Sequence, residues 1–322
     1  MFRTLRRSVS SRFSVSLAAA LVVMLTAACK EPPAGTAGIS PAHWPNAQAA
    51  DWTTYRQQQG EVGSQLGVHV AWNTSGDGVI PNCILAALAN GARPVVVLGL
   101  KDVAGNPDKL AALEGMVRQL VTSYPIDFLA FGNEINNDPA VDSMLPVIEH
   151  MAQFTKALGT PTQVFTVFQY ESMLTNPKAA SYLAQVPSLA FVGFTSYPFL
   201  KYSATSQMPT TYYDTIAKWT AKAWALTEVG WPSRQSFPGY PTIKGSEAEQ
   251  VNFISKVANI LPNKPVVFVN WFTVCDLAEW KETDPVSNFN QVFYTIGLRR
   301  NSGTAKQAYE AWRQFYVASK SA

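Results

Sequence analysis

Two glutamates stand where apolar runs of the sequence end, and together they could cleave a glycosidic bond. Glu134 ends the run at 126–134, and Glu228 lies near the end of the run at 223–230. In glycoside cleavage one carboxyl donates a proton to the leaving oxygen, and an ionised carboxylate attacks the anomeric carbon or activates water. Either glutamate alone could equally cap a helix or pair with a base. The interpretation therefore depends on a fold that brings the two together.

The apolar runs alternate with longer segments of helical character. Each run is continuously hydrophobic, which is typical of parallel strands that are covered on both faces. The seven strong runs span residues 67–73, 94–100, 126–134, 162–169, 189–197, 223–230 and 265–272. A weaker run at 37–40 precedes them, and the helical segments lie at 47–66, 107–123, 142–158, 179–185, 211–222, 246–260 and 304–318.

Eight β/α units over roughly 285 residues predict a single α/β domain with the (β/α)8 TIM-barrel fold. A doubly wound sheet is the alternative, but the sequence lacks the Gly-rich phosphate loop expected after its first strand. Active sites of TIM barrels lie at the carboxyl ends of the strands. Because the fourth and seventh strands stand nearly opposite each other, we expect Glu134 and Glu228 to face one cleft.

Short motifs around both glutamates carry a family resemblance. The sequence GNE at 132–134 and a glutamate ending the seventh strand resemble the retaining (β/α)8 glycoside hydrolases of the "4/7" clan. The segment EVGWPS at 228–233 is similar to the E-x-G-W-P-S segment of glycoside hydrolase family 17, the β-1,3-glucanases and glucanosyltransferases. The segment DLAEWK at 276–281 resembles that family's F-D-E-x-W-K, with one extra residue and Cys275 in place of the aromatic.

The resemblance implies a role for each matching residue. Glu134 would be the general acid/base and Glu228 the nucleophile of a double displacement. Asn133 would bind the sugar 2-hydroxyl, a contact that strengthens in the transition state. Tyr197, at the end of the sixth strand, would donate a hydrogen bond to the nucleophile; alternatively it is a half-buried aromatic with a satisfied hydroxyl.

Tryptophans near the strand ends are candidates for stacking on sugar rings. Trp271 ends the eighth strand, Trp231 follows Glu228, and Trp72 ends the second strand, while Phe199 is a further candidate. The alternative for each is a place in the core. Some families of the clan carry an arginine on strand 2 and histidines near strands 3 and 6, which this chain lacks. The subsite around the scissile sugar is therefore expected to differ.

Two charged residues, Glu171 and Lys101, also lie just past strand ends. We interpret both as charges on the rim of the barrel.

Composition excludes several classes of protein. Hydrophobic residues make up 47% and charged residues 15% of the 322, so the chain can bury a large core and is not intrinsically disordered. Four of the 25 basic residues and none of the 22 acidic ones lie in 1–28. The remainder carries a net charge of −1, which gives no electrostatic reason to bind nucleic acid. The three histidines are scattered, and we expect no metal and no cofactor.

The amino terminus has the features of an export signal. Residues 1–12 are basic, and the apolar stretch at 13–28 is shorter than the about 20 residues of a membrane-spanning helix. We assign 1–28 as a signal peptide that ends before Cys29 in a lipobox-like TAAC, with ordinary secretory cleavage as the alternative. Residues 29–38 would be the lipidated cysteine and a Pro/Gly-rich tether, and 39–322 the barrel.

The two other cysteines, Cys83 and Cys275, could form a disulfide or remain two buried thiols. Cys83 follows the second predicted strand and Cys275 the eighth, which a closed barrel separates by one strand only. Their loops could therefore meet.

From these observations we expect an exported, lipid-anchored, monomeric retaining hydrolase that attacks β-linked glucan or a related polysaccharide internally. A transglycosylase with the same residues is one alternative, and a glycan-binding barrel lipoprotein without catalysis is another. Lys30, after the cysteine, is not the aspartate that retains lipoproteins in the inner membrane, which favours the outer membrane.

We expect Cys29→Ser to abolish membrane anchoring, because the lipid is attached to the cysteine itself. Wild-type protein should partition with membranes and incorporate labelled fatty acid, whereas the variant should remain soluble or uncleaved. Lys30→Ala, which keeps the cysteine, is the matched control. Membrane partition and lipid labelling that persist in Cys29→Ser would contradict the prediction.

Overall fold

The computed structural model describes residues 37–39, 62, 65–70, 78–91, 94–100, 102–234, 243–276, 292–300 and 302–320. Several predicted features lie outside these ranges: the signal peptide, Cys29, most of the tether, Trp72, Lys101 and the segment 277–281.

Nine strands in the described part of the chain account for all eight predicted strands. They are β1 (Ala37–Ile39), β2 (Gln65–Val70), β3 (Pro94–Leu98), β4 (Phe128–Phe131), β5 (Gln163–Phe165), β6 (Val167–Gln169), β7 (Val192–Ser196), β8 (Trp224–Val229) and β9 (Val266–Trp271). The predicted fifth strand is present as two segments, β5 and β6. β1 overlaps the last two residues of the segment predicted as a tether.

The strands form one parallel sheet in the order β5-β4-β3-β2-β1-β9-β8-β7-β6. Because only Thr166 separates β5 from β6, the two ends of this order meet and the sheet closes on itself. At the gap the Thr166 hydroxyl donates to the Phe131 carbonyl (2.6 Å). The fold is therefore a parallel α/β barrel, in which β8 is the seventh barrel strand and β9 the eighth.

The described helices are α1 (Asn82–Ala89), α2 (Pro107–Ser123), α3 (Val141–Ala157), α4 (Tyr170–Met173), α5 (Ala179–Ala184), α6 (Ile216–Trp219), α7 (Glu247–Ile260) and α8 (Gln307–Lys320). α2 has the predicted bounds because Pro107 occupies the first helical position and the Asn106 side chain accepts from the Lys109 amide (3.1 Å). Within the described ranges, no helix has the length and apolar character needed to span a membrane.

The helix predicted at 211–222 is wrong over most of its length, since only Ile216–Trp219 is helical. Tyr212 and Tyr213 turn into the core, where both are buried. In an α-helix the Ile216 N–H would donate to the Tyr212 carbonyl. Here that carbonyl accepts from the Tyr170 hydroxyl, and the Ile216 N–H donates to the Tyr213 carbonyl. Tertiary contacts thus override the local helical pattern.

Apolar side chains fill two layers, one inside the barrel and one between the barrel and its helices. Aromatic rings dominate the inner layer: Phe165 stacks on Phe191 at 4.6 Å between centroids, and Phe128 meets Phe268 at 5.2 Å. The buried members of this inner cluster are Val95, Val97, Ala130, Phe165, Val167, Phe191, Ala225 and Phe268. The barrel is therefore a packed core and not a pore.

The structure contains no disulfide between Cys83 and Cys275, and both are free thiols. Cys83 lies in the first turn of α1 and packs into the outer core layer, with 5% of its surface exposed. Cys275 lies beyond β9, where it pairs with Arg299 in an isolated bridge. Of the two alternatives left open for these cysteines, a disulfide or two thiols, the structure has the thiols.

We expect Phe268→Ala to lower the free energy of unfolding by about 3–5 kcal/mol, because it leaves a cavity among the inner rings. Phe268→Leu should cost less, since it fills more of the space. Val317→Ala on the exposed face of α8 is the control and should change stability by less than about 0.5 kcal/mol. Chemical denaturation would measure all three, and a Phe268→Ala cost as small as that of Val317→Ala would contradict the inner-core assignment.

Candidate active site

Glu134 sits on a turn of unusual backbone geometry at the end of β4. Gly132 has φ +81°, and Glu134 itself is left-handed, with φ 50° and ψ 39°. A Cβ on Gly132 would lie 2.3 Å from the Ile135 side chain, so glycine is required there. The left-handed conformation costs a non-glycine residue about 1–2 kcal/mol. Such strain is concentrated at functional sites, where surrounding contacts hold the residue in place.

A β-bulge in β8 turns Glu228 toward the mouth of the barrel. Phe194 pairs with Leu226, but the next residue, Thr195, pairs with Glu228, so β8 has one extra residue at this point. Phe194 and Leu226 both pack in the outer layer. With strict alternation Glu228 would face the same side as Leu226. The bulge reverses the alternation and places Glu228 beside Thr195 on the inner side.

Two hydroxyl donors from the end of β7 bring the predicted carboxylates into one site. Thr195 donates to Glu134 Oε1 (2.6 Å), and Tyr197 donates to Glu228 Oε2 (2.5 Å). Asn137 also donates to the other oxygen of Glu134 (3.4 Å). Glu228 and Tyr197 are 5% and 2% exposed, whereas Glu134 is half-buried. The geometry thus joins Glu134, Glu228 and Tyr197, all three of which were candidates from sequence.

Burial raises the pKa of both carboxyls to about 7. The charge of Glu228 further raises the pKa of Glu134, while hydrogen bonds from Thr195 and Asn137 lower it. The hydrogen bond from Tyr197 lowers the pKa of Glu228. Because the two carboxyls interact, their protons leave as a coupled pair. The arrangement favours the negative charge on Glu228 and the remaining proton on Glu134.

Glu171 is not a rim charge, and that interpretation is corrected. It is half-buried and accepts hydrogen bonds from Ser196 (2.8 Å), Tyr212 (2.7 Å) and Gln169 (2.5 Å). Burial raises the pKa of Glu171, and the hydrogen bonds from Tyr212 and Ser196 offset this rise only in part. The sequence gives no sign of this arrangement, because the donors come from three separate segments.

Trp231 and Trp271 are core residues, and the expectation that they stack on sugar is wrong for this structure. Both are 0% exposed. The indole N–H of Trp231 donates to the Lys244 carbonyl (3.0 Å), and that of Trp271 to the Ile296 carbonyl (2.9 Å). Each ring therefore has its polar group satisfied inside the protein, which is the pattern of a packed tryptophan.

Three phenylalanines surround Tyr197, and one of them, Phe199, was a candidate from the sequence. Phe293 lies 4.9 Å, Phe272 5.6 Å and Phe199 5.7 Å from Tyr197 between ring centroids. Phe293 is half-buried, whereas the other two are buried, so Phe293 is the ring of this group that a ligand can reach. Nothing in the sequence singles out Phe293, because it lies far from any strand end.

Thr195 could have been identified from the sequence. It precedes Tyr197 by two residues, and strand alternation places such residues on the same face. Asn133 is exposed next to Glu134, so its amide is accessible to a ligand. Within the described ranges, no group of three or more His, Cys, Asp or Glu side chains could hold a metal ion.

A buried lysine forms hydrogen bonds to both segments that follow β8 and β9. Lys306 Nζ lies 2.6 Å from Asp276 Oδ1, 2.9 Å from the Ser233 hydroxyl and 3.1 Å from the Thr295 carbonyl. Ser233 and Asp276 belong to the two segments that resemble family motifs. In this structure both residues contact Lys306 and support the loops behind Glu228.

Comparison with solved structures finds many barrels of similar shape. A family 39 glycoside hydrolase from Bacteroides cellulosilyticus matches with TM-score 0.62 and 15% identity, over 88% of this chain and 63% of that one. An exo-β-1,4-mannosidase from an Opitutaceae bacterium matches with TM-score 0.63 and 11% identity, over 90% and 61%. A GH5 protein from Bifidobacterium longum in complex with Manβ1-4GlcNAc matches with TM-score 0.62 and 13% identity, over 89% and 79%.

At these identities the likeness shows the fold alone, a parallel α/β barrel that this chain shares with the three neighbours. The chain spans less than two thirds of the length of the family 39 structure and of the mannosidase. No protein-family model and no curated protein sequence matches the chain. The three named neighbours give no support to the finer assignment to family 17.

Because the folded pKa of Glu228 is about 7 and its ordinary value is 4.5, ionisation between these values destabilises the folded state. The stability that the protonated Glu228 contributes is fully present below about pH 4.5 and is lost as the pH rises through 7. We therefore expect Glu228→Gln to raise the free energy of unfolding at pH 8 by an amount on the order of 3 kcal/mol. The gain should disappear at pH 4.

Glu149→Gln is the matched control, because the pKa of Glu149 is shifted in the direction opposite to that of Glu228. Burial raises the pKa of Glu149, but the Ser188 and Gln153 donors and the charge of Lys222 together lower it by more, so the net direction is down. Its contribution to stability is present at neutral pH and is lost in acid. Urea titrations of both variants from pH 4 to 8 would measure the difference, and a Glu228→Gln variant less stable than wild type at pH 8 would contradict the assigned burial.

Proposed function

We propose that the protein is a retaining glycoside hydrolase, with Glu134 as acid/base and Glu228 as nucleophile. The observation that carries the proposal is the pairing of these two glutamates through Thr195 and Tyr197 at the mouth of a closed parallel barrel. The similarity to solved glycoside hydrolase barrels supports the same reaction class.

In the first step, the ionised Glu228 attacks the anomeric carbon while Glu134 gives its proton to the leaving oxygen. Tyr197 orients Glu228 and stabilises its charge before the attack. The pKa of Tyr197 is raised by burial and by the charges of Glu228 and Glu134, so the hydroxyl remains a donor. The products are a glycosyl ester on Glu228 and an ionised Glu134.

In the second step, Glu134 accepts a proton from water, and the water oxygen attacks the anomeric carbon. The bond between this carbon and the Glu228 oxygen breaks, which releases the sugar and restores the Glu228 carboxylate. Once Glu228 is esterified, its charge no longer raises the pKa of Glu134. Glu134 can therefore remain ionised and act as a base. The same two residues serve a transglycosylase when a sugar hydroxyl takes the place of water.

The proposed substrate is a β-linked glucan or related polysaccharide, cleaved internally, with a β-1,3-glucan as the finer suggestion. That suggestion rests on EVGWPS at 228–233, in which Trp231 and Ser233 have packing roles in this structure. A substrate panel should therefore also contain mannosides and glucuronides, the classes named for structural neighbours.

We further propose that the enzyme is exported and acts in the periplasm or at the cell surface, anchored by lipid on Cys29 and held off the membrane by the tether at 29–38. The outer membrane is favoured. A polysaccharide substrate is too large to reach a cytoplasmic enzyme, which agrees with export. The protein is proposed to act as a monomer.

The stereochemical course of cleavage tests the proposal. Proton NMR of early products from a β-linked aryl glycoside should show the β-sugar first, because two displacements restore the configuration. We expect the carboxyl groups of Glu134 and Glu228 to lie about 5–5.5 Å apart in a crystal structure, against about 6.5–9.5 Å for an inverting enzyme. An α-sugar as first product would exclude retention.

Chemical rescue separates the two glutamates. Glu134→Ala should still form the ester from an activated aryl glycoside, and azide should restore turnover to give a β-glycosyl azide. Glu228→Ala should be inactive, and azide should yield an α-glycosyl azide. Glu149→Gln should behave as wild type.

Rescue of Glu134→Ala to the α-azide, or no rescue of either variant, would contradict the assigned roles. Transfer products in place of free sugar would identify a transglycosylase. Binding of glycan without cleavage of any member of the panel would identify the binding protein.

A further inference from the structure

We propose that Glu171 is a positioning residue, which holds the end of β7 so that the Tyr197 hydroxyl remains on Glu228. The inference rests on the proposed function, because it assigns Glu171 a part in that reaction. The contacts that carry it do not depend on the identity of the sugar.

Glu171 contacts the two residues at the end of β7 in different ways. The Ser196 hydroxyl donates to Glu171 Oε1 (2.8 Å), and the backbone N–H of Tyr197 is near enough to this carboxylate to lower its pKa. Ser196 and Tyr197 are almost wholly buried. Glu171 thus holds the residue next to Tyr197 in the strand, and strand alternation points the Ser196 and Tyr197 side chains to opposite faces.

Further contacts hold Glu171 itself in place. Gln169 donates to its Oε2 (2.5 Å), and Tyr212 donates to its Oε1 (2.7 Å). The Asn136 side chain in turn accepts from the backbone N–H of Gln169 (2.7 Å) and donates to the backbone carbonyl of Gln169 (3.1 Å). Because Asn136 lies two residues beyond Glu134, the Glu171 network reaches the turn that carries the proposed acid/base.

The two acceptor oxygens of Glu171 suit this role. An ionised carboxylate only accepts hydrogen bonds. The groups that contact Glu171, namely the Ser196 and Tyr212 hydroxyls and the Gln169 side-chain amide, are all donors. An amide in its place would turn an N–H toward a donor, which leaves that donor unsatisfied. The negative charge of Glu171 also contributes to the raised pKa of Tyr197, and so helps to keep its hydroxyl protonated.

The test is Glu171→Gln, alone and combined with Tyr197→Phe, measured on the aryl glycoside that the wild type cleaves best. Glu171→Gln should lower kcat by about 10- to 100-fold with little change in KM, because Tyr197 loses its alignment. In the Tyr197→Phe background, the same change should lower kcat by less than about threefold, since the hydroxyl it positions is gone.

Glu149→Gln is the matched control, because Glu149 also accepts from a serine hydroxyl, a backbone N–H and a glutamine amide, at a distance from the site. It should leave kcat unchanged in both backgrounds. An equal loss from Glu171→Gln in both backgrounds, or no loss in either, would overturn the proposal while the hydrolase function stands.

A crystal structure of Glu171→Gln gives a second readout that needs no activity. The distance between Tyr197 Oη and Glu228 Oε2, 2.5 Å in the wild type, should exceed hydrogen-bond length. An unchanged distance would overturn the proposal even if the wild type cleaved no glycoside, an outcome that would count separately against the proposed function.

If Glu171→Gln does not fold, Ser196→Ala takes its place with the same two readouts and the same Tyr197→Phe background. It removes one donor to Glu171 and keeps the carboxylate. A smaller loss of kcat that disappears with Tyr197→Phe is expected, and a loss that persists would overturn the proposal.

Discussion

At the end of β7, three successive hydroxyl groups must each reach a different carboxylate. Strand alternation sends the first and third toward the mouth of the barrel and the second toward the helical layer. A shift of this strand by one residue would exchange these faces and break all three contacts. The donor and acceptor pairs are Thr195 with Glu134, Ser196 with Glu171, and Tyr197 with Glu228.

The pairing of β7 with β8 satisfies this constraint only because of the bulge before Glu228. Without the extra residue, Glu228 would point into the outer layer beside Leu226, and Tyr197 would have no carboxylate to meet. On the other side of the barrel, the left-handed backbone of Glu134 likewise brings its carboxylate to its donor, Thr195. Both carboxyls are then held in surroundings that oppose ionisation, so the pair keeps one proton near neutral pH, and that proton is favoured on Glu134.

Much of this could be predicted from the sequence, for identifiable reasons. Continuous apolar runs specify buried parallel strands, and their number specifies the barrel, so the positions of Glu134 and Glu228 at strand ends followed. The bulge could not be predicted, since Leu226, Thr227 and Glu228 look like ordinary alternation. The burial of Trp231 and the enclosure of Glu171 depend on residues far away in the chain, which no local pattern reveals.

The hexapeptide at 228–233 has one residue, Glu228, that faces the proposed chemistry. A Cβ on Gly230 would lie 2.3 Å from the Ile296 side chain, Trp231 is packed in the core, and Ser233 bonds to the Thr295 carbonyl. The segment is therefore chiefly a junction between β8 and the chain near Ile296. In evolutionary terms, a junction of this kind can persist while the surrounding loops diverge toward different sugars. Two proteins that share the hexapeptide would then share the architecture of this junction more reliably than the substrate.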